Sequence, residues 1–260
     1  LYHAPAAAGA PAVEPAIAAA IVTAAMATYL VIAMVVPRSL VLPAAQAALA
    51  AVPIAAIAYA QRGARLARPW RPLGLGRAQP RFFIAAIAIG TTAWYLNMRL
   101  VAGLPLPDHQ TRVLAELVSR PTLVGAIALF AVMPAVCEEI LFRGVLARSL
   151  GNSLPLGLAA GISAVVFSAY HLSLVQALPT LTLGLMLGLV AIRADSALPS
   201  IAAHACNNAL AIAMSRGALP TLAGALEAHP TLAVVGGVTA TCAGLALVLR
   251  KAPARSPEGS

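Results

Sequence analysis

Charge is scarce in this chain. Only 10% of its 260 residues are Asp, Glu, Lys or Arg, and lysine occurs once, at Lys251. Aromatic residues make up 5%. No Cys-x-x-Cys pair occurs, and Cys137, Cys206 and Cys242 all lie in apolar stretches. Period-two alternation and a His-Glu-x-x-His sequence are both missing. Each absence removes a class of protein. A soluble domain carries about 25% charged residues, so this chain is not one. Without alternation an outer-membrane barrel is excluded. An odd number of cysteines in apolar surroundings argues against a disulfide framework, and the thiols read as buried and inert.

What is abundant is apolar surface. Hydrophobic residues make up 61% of the chain, and the mean hydropathy is +0.89. The apolar residues fall in runs of about 20, the length that crosses a ~30 Å hydrocarbon core. The predicted fold is all-α, a polytopic bundle of about eight transmembrane helices. They are expected over 16–36, 40–60, 82–102, 121–150, 155–173, 177–192, 197–214 and 230–249. Residues 16–250 then form a single integral membrane domain. Residues 1–15, rich in Ala and Pro and without a basic n-region, are expected to be a disordered lead-in. Residues 251–260 are expected to be a cytoplasmic tail.

The net charge of +9 does not point to nucleic acid. The arginines cluster in loops between apolar runs, where they act as topology signals. With Gln61–Arg81 placed inside, twelve basic residues lie on the cytoplasmic side. Six are Arg62, Arg65, Arg68, Arg71, Arg77 and Arg81, and the others are Arg143, Arg148, Arg193, Arg250, Lys251 and Arg255. Five lie outside: Arg38, Arg99, Arg112, Arg120 and Arg216. Both termini are then cytoplasmic. Alanine and arginine richness fits a GC-rich bacterial genome, so the expected location is a bacterial inner (plasma) membrane. Gly157-x-x-x-Gly161 and Gly184-x-x-x-Gly188 are expected to let the fifth and sixth helices pack closely.

The chemistry-bearing residues are few. Glu138 and Glu139 sit inside an apolar run, with Arg143 four residues on. A charge at mid-bilayer costs at least ~2.5–3.5 kcal/mol, so an intramembrane acid is by default a functional site. Glu139 and Arg143 share a helix face and can pair. Glu138 lies about 100° around the helix. It is left as an unpaired carboxylate, suited to a general base. His171 closes Phe167-Ser-Ala-Tyr-His171, and His204 and Asn208 are spaced four apart in His204-Ala-Cys-Asn-Asn208. Asn207 is expected to face elsewhere. Counted from its own helix end, Glu138 lies about 16–18 Å deep, His171 about 24 Å and His204 about 10 Å. Their convergence therefore requires tilted or staggered helices.

Glu-Glu-x-x-x-Arg, Phe-x-x-x-His and His-x-x-x-Asn, in that order on separate apolar helices, resemble the CPBP family. These are the CAAX proteases and bacteriocin-processing enzymes, also called Abi, and include the Ras-converting CAAX endopeptidase. The resemblance covers about 120–215. It implies intramembrane hydrolysis of peptide bonds in membrane-associated or leader-bearing peptides. It also implies roles: Glu138 and His171 activate a water, His204 and Asn208 hold the oxyanion, and Glu139 and Arg143 support the geometry. The partners implied are a peptide or membrane-anchored protein substrate and the lipid bilayer. A metal-free mechanism is preferred. Zinc held by Glu138, His171 and His204 is the alternative, since two histidines and one carboxylate make a hydrolase-type ligand set. Two other functions stay open: a non-enzymatic membrane interaction or bacteriocin-immunity protein, and a proton-coupled transporter using Glu138, His171 and His204 as a relay.

The charge distribution makes a direct prediction. Reporter fusions after Ala78 and after Ala254 should both read cytoplasmic, and a periplasmic or external reading at either would remove this orientation.

Overall fold

The computed structural model describes residues 13–62, 70–104 and 108–250, the side chains of 38, 39, 108, 109 and 114 excepted. The expected lead-in up to residue 12, the tail from 251, and Arg65 and Arg68 of the basic loop lie outside the described residues. Every described segment of regular structure is helical. The helices are α1 (Pro15–Val35), α2 (Arg38–Ala60), α3 (Pro80–Val101) and α4 (Asp108–Ser119). They continue with α5 (Leu123–Gly151), α6 (Leu156–Tyr170), α7 (Leu174–Ala194), α8 (Leu198–Ser215), α9 (Pro220–Ala228) and α10 (Pro230–Leu249).

Helix starts follow local chemistry. Proline occupies the first turn of α1, α3, α8, α9 and α10, where its missing N–H costs nothing. Thr122 caps α5 by accepting from the Gly125 N–H, and Ser173 caps α7 by accepting from Gln176. Pro43 and Pro53 lie inside α2, as membrane helices tolerate.

All eight expected apolar stretches are helical. Six helices are long and apolar enough to cross a bilayer, and seven if a bent pair counts as one span. The bent pair is α8 and α9, which meet at 88°. The polar His204, Asn207 and Asn208 lower the hydropathy of α8 below that of its neighbours. α6 has only 15 residues. At 1.5 Å per residue it rises about 22 Å, short of the hydrocarbon thickness. It stops because Leu172 turns the chain with φ of 48° directly after His171. The segment between α3 and α5 holds the amphipathic α4.

α5 is the axle of the bundle. It packs against α1 and α2 on one side and against α6, α7 and α8 on the other. α3 covers α7 and α8, and α10 covers α3. From Cys137 to Ser149 every residue of α5 is buried, including Glu138, Glu139, Arg143 and Arg148. Those charges thus face protein rather than lipid, which is where membrane proteins place them. The exposed flanks are apolar, with Val31, Met34, Leu158, Val165, Leu232 and Val235 outermost.

Two tight approaches set helix positions. A Cβ on Gly144 would meet the Leu73 carbonyl oxygen at 2.1 Å, so the turn after Arg71–Leu73 lies directly on α5. A Cβ on Gly90 of α3 would meet the Ala203 carbonyl oxygen at 2.3 Å, one residue from His204. Gly184 and Gly188 of α7 do face α6, against Ala164 and Ala160. Gly157 and Gly161 have nothing near them, so that half of the small-residue expectation is corrected. They lie on a different face of α6 from Ala160 and Ala164, which meet α7.

One end of the bundle gathers the basic residues. Asp195 accepts from Arg148 at 2.6 Å and from Arg71 at 3.2 Å. Arg148 also donates to the carbonyls of Arg71 and Gly144. Arg81 and Arg193 both reach the Arg250 carbonyl. At the other end Arg216 donates to the carbonyls of Val118 and Pro121.

Gly144→Ala should destabilise the fold, because the obstructing atom is backbone and cannot rotate away. Overpacking of this kind costs about 1–3 kcal/mol. Thermal unfolding in detergent should show a lower midpoint for Gly144→Ala and an unchanged one for Gly157→Ala.

Candidate active site

The site forms where α2, α5, α6, α7 and α8 meet at depth. Glu138 and Glu139 close a regular stretch of α5, and Ile140–Ala147 then continues with wider π-type turns. Such widened turns occur mainly at functional positions. They sit between the two glutamates and the end of the helix held by Arg148.

Glu139 and Arg143 pair as the i, i+4 spacing predicts. Their atoms approach to 2.9 Å, and both side chains are 0% exposed. Arg143 also reaches two neighbouring helices. Its NH2 donates to the Gly184 carbonyl of α7 at 3.3 Å, and its guanidinium lies 4.1 Å from the Phe167 ring centroid on α6. The carboxylate oxygen paired with Arg143 also accepts from α8: His204 Nδ1 lies 2.9 Å from Glu139 Oε1. An ionised carboxylate only accepts, so Nδ1 carries the proton.

Glu138 occupies the adjacent face. Its Oε1 accepts from Gln46 Nε2 of α2 at 2.8 Å. Its Oε2 is buried without a hydrogen-bond partner and lies 4.0 Å from His204 Nε2. Among the described residues no hydrogen bond joins Glu138 to His171, the partner expected from the sequence. The His171 Nδ1 is instead 2.9 Å from the Phe167 carbonyl. A carbonyl also only accepts, so His171 donates from Nδ1 and its Nε2 keeps the lone pair. His171 remains within electrostatic reach of Glu138, His204 and Arg143. Phe167 touches both histidine rings, with centroids 4.8 Å from His171 and 6.0 Å from His204. The differing depths counted from helix ends are reconciled by this packing. The short α6 ends at Tyr170 and leaves His171, half-buried, beside Phe167.

Asn208 donates to the Phe130 carbonyl at 3.2 Å and accepts from Asn207 at 3.0 Å. Asn207, expected to face elsewhere, is thus tied to the same group and more buried than Asn208. Gln46 was missed by the sequence reading. Its signal was a lone amide in the apolar run of α2, 5% exposed. Tyr170 was missed too. Its hydroxyl lies 3.4 Å from Gln46 Nε2, and its ring stacks edge-on to His171.

Zinc does not fit this geometry. Among the described residues no group of three His, Cys, Asp or Glu is arranged so that it could hold a metal ion. Glu138 and His204 approach each other, but His171 does not complete the set.

The model of the Rce1-like family, type II CAAX prenyl endopeptidase Rce1-like, matches residues 120–210. Residues 120–210 are an Rce1-like domain. No curated protein and no solved structure matches the chain. The Rce1-like domain contains α5, α6, α7 and most of α8, and with them Glu138, Glu139, Arg143, His171, His204 and Asn208. Gln46 lies outside it. The family is one of proteases, so its substrates are peptides.

Glu139→Gln should damage the fold before it damages chemistry. It leaves Arg143 as an uncompensated buried cation, and breaking a buried pair costs about 3–5 kcal/mol. Fluorescence-detected size exclusion and thermal unfolding should report low yield and a lowered midpoint.

Proposed function

We propose that the chain is an intramembrane endopeptidase that hydrolyses a peptide bond with water activated by Glu138. One observation carries this reading. Glu138 Oε2 is buried and lacks a hydrogen-bond partner, with a histidine nitrogen 4.0 Å away. A polar gap of that width is the place for a bridging water.

In the proposed reaction Glu138 takes a proton from that water, and the water oxygen bonds to the scissile carbonyl carbon. The His171 Nε2 lone pair accepts the other water hydrogen and orients the attack. The carbonyl oxygen becomes an alkoxide and accepts from His204 Nε2–H and from the second N–H of Asn208. Donors aimed at a developing oxyanion supply the largest share of many rate accelerations. Because His204 already donates from Nδ1, donation from Nε2 requires the imidazolium. The Glu139 carboxylate beside it is the matching counter-charge. Glu138 then returns its proton to the leaving nitrogen as the C–N bond breaks. Cys137 takes no part, and no step passes through a metal.

The substrate class that fits is a membrane-associated or leader-bearing peptide, for which a CAAX-type peptide of the family serves as reporter. A quenched fluorescent prenylated CAAX-type peptide, incubated with nanodisc-embedded protein, tests the reading. Wild type should cleave it, with and without a strong chelator. Glu138→Gln keeps shape and fold and should lose about 10²–10⁴-fold in kcat, the contribution of a positioned base. Cleavage by Glu138→Gln at the wild-type rate would overturn the reading. Loss on chelation with recovery on adding zinc would make the same residues metal ligands.

A further inference from the structure

Glu138 receives its hydrogen bond from outside the Rce1-like domain. Gln46 belongs to α2, and its amide nitrogen lies 2.8 Å from Glu138 Oε1 and 3.4 Å from the Tyr170 hydroxyl. The amide orientation follows from chemistry. An ionised carboxylate is acceptor-only, so the nitrogen and not the oxygen of Gln46 faces it. Each hydrogen of the amide then has one acceptor, Glu138 or Tyr170. Gln46 Oε1 is left buried with no partner. The helix therefore carries an unsatisfied polar atom in an apolar run, a cost a leucine would not incur. The contact it obtains in return is to the one carboxylate of the pair that Arg143 does not engage.

We infer that Gln46 is a positioning residue for Glu138. It ties down Oε1, so that Oε2 is the oxygen turned toward the gap by His204 Nε2 where water is placed. This rests on the reading of Glu138 as the base. It adds that the base is held by a helix that the family match does not include. A purely structural role for Gln46 would show in stability, whereas a positioning role shows in turnover. A base displaced by an ångström loses rate without losing substrate affinity.

The test uses the full chain in nanodiscs and the prenylated CAAX reporter peptide. Gln46→Met, close in length and without a donor, should lower kcat about 10- to 100-fold and leave KM and the unfolding midpoint near wild type. Gln46→His places an N–H at a similar reach and should recover most of the loss. In a Glu138→Gln background, Gln46→Met should cost nothing further, because its target is gone. Infrared difference spectra give a reading that needs no substrate. The carboxylate band that Glu138→Gln removes should shift in Gln46→Met. An unmoved band, a kcat equal to wild type, or an equal loss of midpoint and activity without rescue by histidine would overturn the inference. If instead Glu138→Gln cleaves normally while the band still shifts, the endopeptidase reading fails and the contact stands.

Discussion

The buried pair of Glu139 and Arg143 is the constraint on which the rest of the structure depends. Both groups are wholly withdrawn from solvent and lipid. Charges in that position must be satisfied, and they recruit partners from three other helices. Arg143 holds α7 through the Gly184 carbonyl and α6 through the Phe167 ring. Glu139 holds α8 through His204. A buried ion pair adds little net stability, because desolvation offsets most of its Coulomb gain. Its effect here is registry. It sets the rotation of α5, which turns Glu138 toward α2, and it fixes which nitrogen of His204 is free.

The surroundings serve that registry. Gly90 lets α3 rest on the α8 backbone beside His204, and Gly144 lets the Leu73 turn rest on the widened part of α5. Gly184 and Gly188 bring α7 against α6. The short α6 ends at Tyr170, and the His171 ring directly after it packs on Phe167 and Tyr170. The matched region carries Glu138, Glu139, Arg143, His171, His204 and Asn208, while α1, α2, α3 and α10 enclose it.

The parts legible in the sequence were those governed by one helix's own geometry. Glu139 with Arg143, and Phe167 with His171, followed from the i, i+4 rule. The helical class followed from run length. Whatever depends on how one helix faces another was not legible. Glu138 lies nearest His204 rather than His171, and Asn207 joins Asn208 instead of pointing away. Gly157 and Gly161 face outward although their spacing matches that of Gly184 and Gly188. Length and composition support six or seven of the expected spans, α6 being short and α8 being bent against α9. Run length alone does not register a turn with positive φ at Leu172, or the hydropathy lost to His204, Asn207 and Asn208. Gln46 could have been noticed as an amide in an apolar run, but nothing in its own helix pointed to Glu138.

The central claim is a division of labour between two adjacent glutamates, one holding the bundle and one acting on water. The most direct measurement is cleavage and unfolding of the double variant Glu139→Gln/Arg143→Met. It removes both charges of the pair at once and leaves an acceptor for His204 Nδ1. Removing both partners is far less costly than removing one. The double variant should therefore regain the fold that Glu139→Gln alone loses, and it should retain measurable turnover. A double variant that folds like wild type yet is as inactive as Glu138→Gln would contradict the account, because the pair would then be as necessary to the chemistry as the base itself.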